Sequence, residues 1–173
     1  MTAPPPKSDS VPVWLRGDVP GVAAPLQAVA HGLLNMLEEV EQAVNQLPRS
    51  QLWQNLGGAA SAGFHLRHIA GSTSRLFTYA RGEELSDKQR TALALEKTAT
   101  PDVALDDLLH ELREVVDSCL AELRSLQEAQ LDTPRGVGRA AHPSTVRGIL
   151  HHAAEHAARH SGQVVTTTKI IAS

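Results

Sequence analysis

The chain has 173 residues, 42% of them apolar and 20% charged, and 16 Lys+Arg against 19 Asp+Glu leave a formal charge of −3. That length and mixture support one hydrophobic core, exclude a disordered polymer, and leave no basic field for gripping phosphate backbones, so no nucleic acid partner is expected. A single cysteine, Cys119, excludes a disulfide framework or a multi-cysteine zinc ribbon and fits a reducing compartment. Met1 to Pro6 carry three prolines where a signal peptide would need an apolar core, and nowhere does an apolar run reach the roughly 18 residues that span a bilayer. The expectation is a soluble, cytoplasmic protein with no membrane partner.

Pro4, Pro5, Pro6, Pro12 and Pro20 remove backbone donors and disfavour helix, so residues 1–20 read as an extended arm whose end Trp14 and Leu15 pin to the domain of residues 21–173. From Val22 to Gln46 the positions Leu26, Val29, Ala30, Leu33, Leu37, Val40 and Val44 recur at three- and four-residue steps, which predicts a first amphipathic helix. Pro48 stops it, and Leu56-Gly57-Gly58 reads as a connection that lacks the context of a phosphate loop. A second helix is predicted over Ala60 to Arg81 on the stripe Ala62, Leu66, Ile69, Leu76, Phe77 and Ala80, with Gly82 as its stop.

A short helix over Ser86 to Leu95 is followed by Thr100-Pro101-Asp102, a cap, a first-turn proline and an acid, predicting a third long helix that runs to about Gln130. Asp132 to Pro143 reads as a loop, and Ser144 as the cap of a fourth helix over Thr145 to Ile170. No stretch alternates with period two, so no sheet is expected. Four apolar stripes predict an all-α four-helix bundle behind a Pro-rich N-terminal arm.

Nine residues are histidine, more than an ordinary core calls for, and they direct the search for chemistry. In the fourth helix His152, His156 and His160 follow one another at four-residue steps. Imidazoles so spaced lie about 5–6 Å apart at Cβ on one face and can converge on one divalent ion. His152 and His160 are separated by roughly 12 Å along the axis, so only 152/156 or 156/160 can chelate. The second pair lies nearer the core stripe, and buried neutral imidazoles need a partner for their nitrogens.

A third donor has to come from another helix. The second offers His65 and His68, which share a face with Ser72 and Tyr79, and spacing does not choose between the two histidines. His31, His110 and His142 read as surface or loop residues, Cys119 as a buried inert thiol, Glu155 and Arg159 as a solvated pair, and Arg75 as a pocket residue beside Tyr79.

With HLRHIAGSTSRLF in the second helix and GILHHAAEHAARHSGQVVTT in the fourth, the chain resembles the DinB/YfiT-like family of metalloenzymes over roughly 22–171. The resemblance implies a four-helix bundle, a homodimer, and a divalent metal, zinc or nickel, held by one histidine of the second helix and two of the fourth. Carried over by motif position, the ligands are His68 from HLRHI, then His156 and His160 from HAARHSGQ. His65, His152, Ser72 and Tyr79 are then neighbours of the ligands, with His65 or His152 placed to orient a nucleophile or shuttle a proton.

Relatives that are thiol-dependent transferases and isomerases imply a small-molecule thiol as substrate. The corresponding chemistry is Lewis-acid catalysis of transfer or hydrolysis, with the catalytic residues beyond the ligands unassigned. The competing expectation is a non-catalytic bundle, metal-stabilised or metal-free, acting in a stress response or in protein interaction.

Overall fold

The computed structural model describes residues 11–172, so Met1 to Ser10, half of the expected arm, lie outside the described residues. Each apolar stripe read from the sequence is the buried face of a helix: α1 (Gln27–Val44), α2 (Ala62–Arg81), α4 (Leu105–Ser125) and α5 (Val146–Ala172), with a short α3 (Asp87–Leu95) between the second and third of these. α5 packs on both α1 and α2, and α2 packs on α4 as well, so the α2/α5 seam is central to the bundle. Leu33, Met36, Leu66, Ile69, Phe77, Leu112, Leu123 and Leu150 are fully buried in one continuous core, each contributing about 1.5–3 kcal/mol by leaving water.

Local chemistry sets the helix ends. The Ser61 hydroxyl accepts from Phe64 N at 3.1 Å to start α2, and Gly82, at φ 78°, closes it in the left-handed conformation that glycine adopts without strain. Two expected caps are corrected. Thr145, not Ser144, caps α5, its Oγ1 accepting from Gly148 N at 3.1 Å, because the strand that holds both residues runs on through Thr145 and the helix begins only at Val146. Thr100 does not cap α4, which begins at Leu105 behind Ala104: the Thr100 carbonyl closes a turn with Val103 N, and its hydroxyl is engaged by Arg67. α4 also stops at Ser125, short of Gln130, where Leu126 turns extended and Glu128–Gln130 forms a separate 3-10 turn.

The expectation of no sheet is corrected too. Pro134–Val137 (β1) and His142–Thr145 (β2) pair antiparallel, Pro134 opposite Thr145 and Val137 opposite His142, so His142 stands on a strand and not in a loop. Backbone bonds and Arg135, whose Nε donates to Ala80 O at 2.7 Å, hold this hairpin over the end of α2. At the other end of the described chain, Trp14 and Leu15 are 62% and 54% exposed and do not pin the arm. A three-residue 3-10 turn aims one side chain inward, here the buried Val13, and Arg16 forks onto Glu38 at 2.6 and 2.7 Å beside it. Among the described residues no helix is long and apolar enough to cross a membrane.

Two glycines make opposite demands. A Cβ on Gly63 would meet the Trp53 ring at 2.8 to 3.0 Å, whereas one on Gly162 would meet nothing within 4 Å. Gly63→Ala is therefore expected to displace a bulky ring and lose about 1–3 kcal/mol, and Gly162→Ala to gain up to about 1 kcal/mol from helix propensity. Urea denaturation of the two variants checks both signs.

Candidate metal centre

The apolar stripe of α2 turns toward the core, which leaves His65 and His68 on the neighbouring face. That face meets α5 and not solvent: His65 is 5% and Ser72 7% exposed. On α5 the buried positions beside the histidines are small, Ala153, Ala154, Ala157 and Ser161, and small side chains let two backbones approach closely. His156 and His160 then sit on the flank of the stripe, partly exposed, opposite the pair from α2.

The rings converge. His68 Nε2 lies 2.8 Å from His156 Nε2, across 88 residues of sequence, and His65 Nδ1 lies 3.0 Å from His160 Nδ1. Ring centroids are 4.4 Å apart for His68 and His160, and 4.6 Å for His156 and His160. One ligand atom from each of His68, His156 and His160 falls within 4.8 Å of the other two. Phe64 stacks on the His68 ring at 5.4 Å and meets His65 edge-on at 5.2 Å, closing the α2 side with an apolar wall.

Burial sets the charge state. It lowers His156 to about 4, helped by the neighbouring His160, His68, His152 and Arg159, and lowers His65 to about 4, helped by His160 and His68. Burial lowers His160 as well, with His68 adding to the effect. At neutral pH these imidazoles are uncharged and keep a lone pair each.

Glu96, just past α3, is buried at 6%. One carboxylate oxygen faces His68 Nδ1 at 2.9 Å, and the other accepts from Arg75 Nη2 at 2.9 Å. Burial pushes the Glu96 carboxyl up, but the bonds from His68 and Arg75 outweigh it and hold it below its ordinary value. An ionised carboxylate only accepts, so Nδ1 of His68 carries a proton toward Glu96, and its Nε2 is the atom that faces His156 across the 2.8 Å contact.

Neutral imidazoles from two helices suit a borderline divalent cation. Donors on such an ion, with bonds of about 2.0–2.1 Å, stand about 3.3 Å apart, so small ring movements are enough for the fit.

His152, at the edge of this group, is half-exposed, its ring 5.5 Å from His156 and its Nδ1 3.3 Å from Glu155. Ser72 donates to Ile69 O. Tyr79, eleven residues beyond His68, lies about 16 Å along the helix from it. Glu155 and Arg159 form the expected exposed ion pair. Burial pushes the Cys119 thiol up to about 12, in keeping with an inert core residue. Glu96 and Phe64 went unread in the sequence. No period marks Glu96, and the signal that could have found it is the basic residue Arg75 on a helix face otherwise buried.

A helical bundle with three histidines converging from two helices is the class that fold and cluster define. The sequence profile of the DinB superfamily matches residues 32–164, and the chain belongs to that superfamily. Its fold is similar to that of a Streptococcus pneumoniae protein of known crystal structure, at 16% identity and a TM-score of 0.61 over 84% of this chain and 88% of that one. It is also similar to an uncharacterised protein from Clostridium difficile 630, at 12% identity and a TM-score of 0.62 over 84% and 94% of the two chains. No curated protein matches.

The lowered histidines predict a pH profile. Unfolded, His65 takes its proton near 6.5; folded, only near 4. The unfolded chain binds more protons between those values, so stability is full above about pH 6.5 and falls as the pH drops toward 4. Thermal melts of chelator-treated protein should show this slope, flattened in His65→Leu. An unmodified protein with a level profile over that range would refute it.

Proposed function

We propose that this chain is a divalent-metal protein in which His68, His156 and His160 hold zinc or nickel with a coordination position left open. The same reading makes it a metal-dependent enzyme of thiol-transfer or hydrolytic type acting on a small molecule. The observation that carries it is the convergence of three imidazole nitrogens within 4.8 Å on a seam whose ligands are partly exposed. A closed structural site would bury its ion behind four protein donors, whereas three donors at a partly open surface leave room for a substrate.

A divalent ion there supplies Lewis acidity, which lowers the pKa of a coordinated water or thiol to near neutrality. The protein's own groups do the rest. His65 shares a nitrogen contact with His160 at 3.0 Å and fixes that ring's orientation. Phe64 keeps water off the α2 side of His68. His152, half in solvent beside His156, is placed to exchange protons between the site and bulk water. The reading includes a homodimer, supported by the exposed neighbours Trp14 and Leu15, whose apolar surface a second copy would cover; light scattering checks it.

Elemental analysis of untagged protein loaded with zinc or nickel should give close to one ion per chain. His156→Ala and His160→Ala should each lose most of it while circular dichroism keeps its helical signal. Full occupancy in both variants would overturn the assignment. Chelation that abolishes turnover of a thiol or ester substrate, yet leaves the fold intact, would favour catalysis over a structural ion.

A further inference from the structure

The segment between α2 and α4 is docked in an unusual way. α3 buries none of its residues, and Leu93 and Leu95 are 45% and 54% exposed, so apolar packing does not hold it. From Glu83 to Ala104 the one buried residue is Glu96. A cleft of about 530 Å³, lined by Gly71, Ser74, Gln89, Ala92, Ser118 and Glu122 among others, runs beneath α3 and parts it from α4.

What holds the segment is polar. Gln89 Nε2 donates to Ser74 Oγ at 3.1 Å and Thr78 Oγ1 at 2.8 Å. Arg67, its guanidinium 4.8 Å over the Trp53 ring, donates to Thr98 O at 2.8 Å. Arg75 and His68 meet the two oxygens of Glu96. α2 is shaped for this last contact, since a Cβ on Gly71 would fall 2.7 Å from Arg75 Nη1 and 3.0 Å from Glu96 Oε1.

We propose that Glu96, clamped by Arg75, is the positioning residue that fixes His68 for a divalent cation, and that docking of the segment 86–100 and metal binding are thereby mutually dependent. The inference rests on the metal-centre reading above. A carboxylate on the far nitrogen of a ligand imidazole sets its tautomer, fixes the ring plane and raises the basicity of the ligating nitrogen. Here that carboxylate belongs to a segment held without an apolar core, which opens more readily than the bundle does. When the segment lifts, His68 loses its orienting partner and the site its affinity. By linkage, a cation that prefers the oriented ring holds the segment down by the same factor.

The test uses the full chain with Zn²⁺ and Co²⁺ alone as probes. Competition against a chromophoric chelator should show zinc affinity 10–100-fold weaker in Glu96→Gln, which keeps the shape and removes the charge, with a shifted Co²⁺ visible spectrum. Arg75→Lys, which leaves the groups on His68 in place, should move both readouts in the same direction and serves if the first variant folds poorly. Zinc should slow amide hydrogen exchange over 86–100 in the unmodified chain, and much less in Glu96→Gln.

A purely structural Glu96 would lower the melting temperature and leave affinity and spectrum unchanged. Zinc bound equally by all three proteins, with exchange over 86–100 indifferent to it, overturns this proposal alone. Failure of the unmodified chain to take up either ion overturns the metal-centre reading and this inference with it.

Discussion

Four imidazoles at the α2/α5 seam have to satisfy one another's nitrogens, and much of the molecule is arranged around that requirement. A neutral ring excluded from water needs a donor or an acceptor on each nitrogen. His68 against His156 and His65 against His160 meet part of it. The pairing requires two backbones at close range, which explains why the buried positions of α5 near the histidines are Ala153, Ala154, Ala157 and Ser161 and not leucines. It also requires rigid surroundings, supplied by α1 and α4 packing on the outer faces of the same two helices. The large side chains of the core lie along the bundle, and the seam itself is small and polar.

Electrostatics divides the centre into two unlike halves. On the α5 side burial keeps His156 and His160 neutral, helped by repulsion from the charged forms of the neighbouring rings. On the α2 side a buried ion pair stands behind His68. Arg75 and Glu96, at 9% and 7% side-chain exposure, place a negative charge on one nitrogen of the ring while the other faces the cluster. A carboxylate so deep in the protein persists because two donors meet its two oxygens, and removing either partner would strand a buried charge.

The four long helices were legible because apolar residues at three- and four-residue steps determine which face leaves water, and Leu26 to Val44 or Leu105 to Leu123 do this without interruption. Residues 134–145 were not, since strands of four residues with Val137 as their main apolar side chain are held by backbone bonds and by Arg135 reaching Ala80 O, neither of which leaves a period. The pair His156 and His160 was readable from the helical wheel. That both His65 and His68 reach that pair was not, because residues three apart differ by a modest rotation, and the direction of a ring depends on what packs against it. Glu96 was out of reach of a periodicity argument: its segment carries no apolar stripe, and the signal that points to it is its partner Arg75, 21 positions earlier on a buried helix face.

The sequence distance spanned by the cluster bears on how the molecule assembles. Contacts across 88 and 95 residues carry a large loop-closure cost and form only once α5 has found α2. A collapsed state with every helix present but that seam unformed holds, on any one helix, at most two neighbouring imidazoles. The three-histidine cluster is consequently a mark of correct topology, assembled only where α2 and α5 have met in register and absent from misassembled forms that look equally helical by spectroscopy.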